Sequence, residues 1–213
     1  MLNTRQISEW KGEFGRDYTD RNTLDPHALD ALYQGNYGVT RSSLNQEFLE
    51  GIPLSAHILE VGCNIGNQLL LLAQAGYTDL HGVEIQSYAV DIARSRVPSA
   101  SIVEGSALEI PHPDQDFDLV FTSGVLIHIA PDNLSTAIAE ICRTAKTWIW
   151  GMEYYAPSLT EIPYREHQSL LWKTDFARAY LSQSSDLKLV RERRLDYVNN
   201  PNTDSMFLLK KSN

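Results

Sequence analysis

The run ILEVGCNIGNQ, beginning at Ile58, limits what this chain can fold into more than any other feature. An apolar stretch carries Glu60 near its end, small residues lead from Gly62 to Gly66, and an amphipathic segment follows at once. Small residues at a strand end let a ligand approach the backbone, and the start of the next helix offers N–H groups with no partner inside the helix. The unit then repeats. HILEVGC, LHGVEI, SIVEG, FDLVFTSGV and WIWGMEYY read as strands, separated by helical patterns such as QLLLLAQAG and YAVDIARSR, whose apolar residues recur three and four apart. Alternation of this kind implies a largely parallel sheet between helical layers, an α/β Rossmann-like three-layer sandwich.

The two ends depart from the alternation. Residues 1–55 are polar and helix-like, with aromatics among charges in EWKGEFGRDYTDRN and a helix start at Pro26 that Asp25 can cap. They are expected to form a helical lid over a core of residues 56–213, the two making one domain. Near the other end, LKLVRERRLDYV and SMFLLKK flank the turn-rich NNPNTD, which reads as an antiparallel hairpin.

With 213 residues, 43% of them hydrophobic, the chain suffices for one well-buried core. A net charge of -9 repels nucleic acid and anionic lipid. No apolar stretch reaches the roughly 18 residues of a membrane span, so a cytoplasmic, monomeric or homodimeric protein is expected. Cys63 and Cys142 are too few for a disulfide framework and read as buried thiols. No His, Asp and Glu run has metal-ligand spacing, and no metal is expected.

A diphosphate fingerprint requires glycine at its third position and glycine or alanine at its sixth; this turn has Asn64 at the third and neither residue at the sixth. Glu60 beside the turn suits a cation. Glu84, about 20 residues on, ends the second strand where a carboxylate can receive a ribose diol. Ser106 and Ala107 follow the third strand, where a hydroxyl and a backbone N–H can meet an adenine. Asp118 reads as a structural acid at the start of the fourth strand.

Acceptor candidates lie at the carboxyl ends of the fourth and fifth strands. His128 is a candidate general base, its ordinary pKa being near 6.5, and a packed histidine is the bland alternative. Glu153 is a second candidate base or anchor. Tyr154, Tyr164, Arg165 and Lys173 can bind an acceptor, the two cations by gripping a carboxylate or phosphate. Equally, the aromatics of this stretch can be core and the charges a solvated face. Tyr18 and Arg21, with Trp10 and Phe14, can close over the site or simply pack on the sheet.

ILEVGCNIGNQ resembles motif I of the class I S-adenosylmethionine-dependent methyltransferases, with Asn64 where a further glycine is usual. Together with EWKGEFGRDYTDRN, GVEI, AVDIARSRVP, GVLIHIAPD and YREHQSLLWKTDFARAY, it looks like the pseudaminic acid biosynthesis-associated methylases. The resemblance implies a seven-stranded sheet of order 3-2-1-4-5-7-6. It implies an S-adenosylmethionine site at Tyr18, Glu60, Gly62, Cys63, Asn64, Gly66, Asn67, Glu84, Ile85, Ser106, Ala107, Ser123, Gly124 and Val125. Methyl transfer to a small soluble acceptor in nonulosonic acid or related surface-sugar metabolism follows by association. A nicotinamide-dependent oxidoreductase or epimerase, or a non-catalytic S-adenosylmethionine-binding protein, stand as alternatives. A nucleic-acid methylase fits least, because TSGV replaces the Asp/Asn-Pro-Pro-Tyr element used on flipped bases.

Overall fold

The computed structural model describes residues 4–165 and 168–212. Helices α1 (Arg5–Lys11), α2 (Glu13–Arg21), α3 (Pro26–Tyr37) and α4 (Arg41–Phe48) come before the sheet. As the sequence implies, the Asp25 side chain accepts from the N–H of Ala28 at 2.7 Å and starts α3. The alternating units follow: β1 (His57–Val61), α5 (Asn67–Gln74), β2 (Asp79–Glu84), α6 (Ser87–Arg96), β3 (Ala100–Glu104) and β4 (Phe117–Ser123). A 3-10 turn at Leu126–His128 leads into α7 (Pro131–Thr144) and β5 (Ala145–Tyr154). Two short strands, β6 (Thr160–Glu161) and β7 (Trp172–Lys173), precede α8 (Phe176–Gln183), β8 (Leu187–Asp196) and β9 (Thr203–Lys211).

The main sheet has seven strands in the order β3-β2-β1-β4-β5-β9-β8. Pairings from β3 through β5 are parallel, and β9 runs antiparallel to both β5 and β8. Because β6 and β7 pair only with each other, β8 and β9 are the sixth and seventh strands of the main sheet. The order is therefore the expected 3-2-1-4-5-7-6.

Alternation along each strand sends neighbours to opposite faces. Leu59, Val120, Ile138 and Phe207 pack in one core layer, and Ile58, Leu119, Phe121 and Trp150 in the other. The helices before the sheet belong to both layers: Ile7 joins the first, and Leu44 and Phe48 the second. Their burial makes residues 4–48 more than a cover.

The carboxyl ends of β2, β1, β4 and β5 and the start of β9 share one edge, so Glu84, Glu60, Ser123, Tyr154 and Asp204 come from five neighbouring strands. Near that edge, Gly151 of β5 stands opposite Phe207 of β9, and a Cβ there would lie 2.3 Å from Phe207 Cζ. Gly151→Ala is expected to lower stability by about 1–3 kcal/mol through overpacking, read by urea unfolding. An unchanged midpoint would mean that the Phe207 ring swings aside freely.

Candidate functional site

The turn after β1 is held by its backbone. Gly62 has φ of +74°, its N–H donates to Val83 O at 2.7 Å, and a Cβ there would strike Val125 Cγ2 at 2.6 Å. Asn64 takes φ of 45°, a left-handed conformation that asparagine tolerates better than most residues, which explains how it replaces a glycine. Its N–H donates to Glu84 Oε2 at 2.8 Å, while Glu84 Oε1 accepts from Ile85 N–H at 2.7 Å and Gln86 N–H at 2.8 Å. Burial pushes the Glu84 pKa up, and these three donors pull against it. The expectation of two carboxylate oxygens free for a diol is corrected: three acceptor positions are already filled, leaving room for about one more bond.

Above the edge lies a cavity of about 350 Å³, and of the residues the resemblance assigns to the cofactor all but Gly66 line it. Gly66 instead begins α5 from φ of +78°, packed against Val97. Buried oxygens without a hydrogen-bond partner concentrate here: Glu60 Oε2, Asn64 Oδ1 and Gln68 Oε1. Burial holds the Glu60 pKa well above the ordinary value, against the pull of Arg41. Ser106 Oγ accepts from Leu108 N–H at 3.1 Å, which leaves the hydroxyl proton and one lone pair uncommitted.

The α1–α2 segment closes one wall. Gln86 Nε2 donates to the carbonyls of Lys11 at 2.9 Å and Gly12 at 3.1 Å, and Asn67 Nδ2 to that of Asn22 at 2.9 Å. Arg96 ties Asn67 Oδ1, at 2.7 Å, to the Leu24 carbonyl. Trp10 and Tyr18 line the cavity beside His128, with the Trp10 ring 4.5 Å from the imidazole.

Of the two candidate bases, only His128 lines the cavity. Its Nδ1 lies 2.7 Å from Leu170 O. A carbonyl can only accept, so Nδ1 carries the proton and the lone pair sits on Nε2. Burial lowers its pKa to about 4. The ring is thus neutral at pH 7, but it falls below the basicity that general-base catalysis favours, which corrects the expectation of an ordinary histidine. Glu153 is a larger correction. It accepts from Val125 N–H at 3.2 Å and Ile127 N–H at 3.4 Å, shaping the turn under the cavity, and it does not line the cavity. Strand alternation explains this, since Met152 and Tyr154 on either side of it do line the cavity.

The expected acceptor cations also lie off the wall. Arg21 and Arg165 are exposed, the latter over the Tyr164 ring at 5.9 Å, and Lys173 bonds Asn202 and sits over the Tyr154 ring at 5.3 Å. None of the three lines the cavity. Their long side chains reach solvent or local partners instead. Tyr154 lines it, and Tyr164 backs it by packing 5.4 Å from His128. Sequence reasoning missed Gln68, Gln86, Tyr33, Tyr37, Tyr197, Asp204 and the fully buried Arg41. Among these, Gln68 closes the first-turn run ILEVGCNIGNQ and Gln86 directly follows GVEI.

No sequence spacing suggested metal ligands, yet ligand atoms of His57, Asp79 and His81 lie within 4.8 Å of one another. They come together because His57 pairs with Asp79 across β1 and β2, at the sheet edge opposite the cavity. Among the described residues no helix is long and apolar enough to cross a membrane.

Glu153 carries a pH signature. Burial raises its pKa to about 7 against its hydrogen bonds, whereas in the unfolded chain it is about 4.3. Between those values the folded protein holds a proton that the unfolded chain releases, so this group's stabilisation is complete below about pH 4.3 and lost as pH rises to about 7. In urea unfolding at each pH, wild type is expected to lose stability relative to Glu153→Gln as pH rises through that window. Parallel curves for the two proteins would show that Glu153 titrates normally.

Residues 58–147 match the family model described as a methyltransferase domain. A Synechocystis methyltransferase of uncharacterised activity is 33% identical over 100 residues, covering 46% of this chain and 47% of its own length. Demethylmenaquinone methyltransferase of Bacillus licheniformis is 35% identical over 103 residues, covering 46% and 44%. The chain thus spans just under half the length of these curated relatives. Among solved structures, 1,6-didemethyltoxoflavin-N1-methyltransferase of Burkholderia thailandensis superposes with a TM-score of 0.73 at 15% identity, over 100% of this chain and 92% of its own. Magnesium protoporphyrin IX methyltransferase of Synechocystis gives 0.69 at 14%, over 97% and 98%. This chain has the fold of the methyltransferase structures it superposes on, and its residues 58–147 are similar to the methyltransferase domain.

Proposed function

We propose that this protein transfers the methyl group of S-adenosylmethionine to a small soluble acceptor. The observation that carries the reading is the chemistry of the unpartnered atoms. One unpartnered donor of the same wall, Trp10 Nε1, comes from the N-terminal segment, but the unpartnered atoms beside the Gly62 turn are oxygens, with Glu60 Oε2 a buried acceptor from an acid. A diphosphate there would set anionic oxygen against oxygen in a low-dielectric site, whereas an ammonium supplies both hydrogen-bond donors and the opposite charge. The backbone supports the same ligand, since the Gly62 turn approaches Val125 closely and the cavity spans Glu60 to Glu84 along one edge.

In this reading Glu60 and Gln68 hold the amino-acid end of the cofactor, Glu84 one ribose hydroxyl, and Ser106 with Ala107 the adenine. When bound, the cofactor supplies a methyl group activated by a sulfonium. The chain's own part is to orient and to exclude water, which in displacement reactions accounts for several kcal/mol of barrier. Trp10, Tyr18, Ile129 and Leu29 form the apolar walls that keep the site dry. His128, neutral with its lone pair on Nε2, orients an acceptor by accepting a hydrogen bond.

The segments similar to pseudaminic acid biosynthesis-associated methylases support an acceptor from nonulosonic acid or related surface-sugar metabolism. The solved relative that holds 1,6-didemethyltoxoflavin and S-adenosylhomocysteine supports the small-molecule class. Methyl transfer in the cytoplasm by a monomer or homodimer is consistent with the acidic chain.

Calorimetry tests the reading. S-adenosylhomocysteine is expected to bind, NAD and NADP to give no saturable heat, and Glu84→Ala to weaken S-adenosylhomocysteine by tenfold or more. Tighter uptake of NAD(P) than of S-adenosylhomocysteine would replace methyl transfer with the oxidoreductase reading.

A further inference from the structure

Asp204, the second residue of β9, stands opposite Tyr154 of β5 and is 4% exposed. Its Oδ2 accepts from Tyr37 Oη at 2.6 Å and lies 3.3 Å from Tyr197 Oη; the two phenol oxygens are 2.9 Å apart. Its Oδ1 has no hydrogen-bond partner, although Asp204 lines the cavity. Tyr37 and Tyr197 have one proton each, taken up by the contacts between them and with Oδ2, and the neighbouring Tyr154 phenol is hydrogen-bonded to Tyr197. Oδ1 is left with no donor within hydrogen-bond distance. Lys173 and Arg41 are near enough to pull on the carboxylate, but neither lines the cavity.

The subsite lies away from the nucleoside end. Neighbouring strands are spaced about 4.8 Å, which puts Asp204 of β9 roughly 19 Å along the edge from Glu84 of β2. A ligand held between Glu84 and the Gly62 turn leaves the β5–β9 end open. Flat surfaces bound that end: the Tyr37 ring is 5.3 Å from that of Tyr33 and 4.7 Å from that of Tyr197. Rings of this kind suit a planar molecule or the apolar face of a sugar.

We propose that Asp204, framed by Tyr37 and Tyr197, is the acceptor-recognising subsite, and that it selects a ring donating a hydrogen bond from a hydroxyl or an amine while rejecting a carboxylate at that position. A buried acceptor without a partner is costly, and a donor brought by the acceptor molecule relieves the cost. A carboxylate would place like charge against Oδ1 in a desolvated site. This selectivity rests on the methyl-transfer reading and adds the acceptor's chemical class to it.

Three probes of one size separate the possibilities: benzylamine, benzyl alcohol and benzoate, titrated by ligand-observed NMR into protein with and without saturating S-adenosylhomocysteine. The amine and the alcohol are expected to bind at least tenfold more tightly than benzoate. Asp204→Asn, which keeps the shape and turns an acceptor into an amide donor, is expected to bring benzoate within about threefold of the others. Tyr37→Phe, which frees Oδ2 as well, is expected to keep the preference for donors. Benzoate binding to wild type as tightly as benzylamine, no saturable binding of any probe, or an unchanged order in a folded Asp204→Asn protein would each overturn the subsite. Should Asp204→Asn fail to fold, the wild-type order decides alone. Failure of S-adenosylhomocysteine to bind would sink the methyl-transfer reading instead, and the probe order in protein without it still reports on Asp204.

Discussion

One buried carboxylate fastens the two strand-end loops from which this cavity is built. Glu84 ends β2, and its oxygens take N–H groups from Asn64 in the loop after β1 and from Ile85 and Gln86 in the loop after β2. Those bonds fix Asn64 in its left-handed conformation, and the Gly62–Gly66 turn follows from it. From the same loop Gln86 reaches the last carbonyls of α1, so the wall formed by the N-terminal helices is registered to the acid as well. Losing the carboxylate would leave three backbone donors to find partners, each at a cost of about 1–3 kcal/mol if buried. In the proposed reading the acid that meets the ligand also sets the frame around it, so affinity lost on its removal includes a structural share.

Parallel strands end at helix starts, and helix starts carry partial positive charge. Such an edge ordinarily favours anions. Here the side chains reverse that preference, with Glu60, Glu84 and Asp204 all buried along one cavity. Burial raises the pKa of all three, Asp204 to about 6. Acids desolvated in this way are matched to ligands bringing positive charge or hydrogen-bond donors, which favour the ionised form that burial disfavours. That distinguishes a sulfonium nucleoside from a dinucleotide more firmly than the glycine count of the first turn does.

The fold was legible in the sequence because two kinds of signal agree: strand-length apolar runs and helical periodicity alternate at short spacing, and turn residues mark the final hairpin. The turn after β1 was legible for a similar reason, since Gly62, Asn64 and Glu84 act through the backbone geometry of one local unit. The β5–β9 end of the cavity was not. Asp204 lies in NNPNTD, which reads as turn chemistry, and its partners Tyr37 and Tyr197 come from α3 and the end of the hairpin, 160 positions apart. Glu153 was misread because a strand's direction is visible in sequence and its facing is not: a one-residue step along β5 carries a side chain from the cavity to the turn beneath it. Arg165 and Lys173 were misread because charge and sequence proximity do not reveal which way a long side chain extends.

Arg41 shows what such local reading omits. It has no exposed surface, and its Nε and Nη1 bond Asn45 Oδ1 at 2.8 Å, Tyr33 Oη at 2.7 Å and Ser123 Oγ at 3.0 Å. Its guanidinium also lies over the Trp150 ring at 5.2 Å. A buried cation without an ion-paired neighbour is expensive unless charge of the other sign lies close by. Glu60 and Asp204 are near enough to provide it, since Arg41 pulls the pKa of both down. Nothing in RSSLNQEF marks this arginine as more than a surface residue on a helix. One fixed positive charge nevertheless acts on both Glu60 and Asp204, so the electrostatics of two stretches of the cavity wall share a single residue of the N-terminal segment.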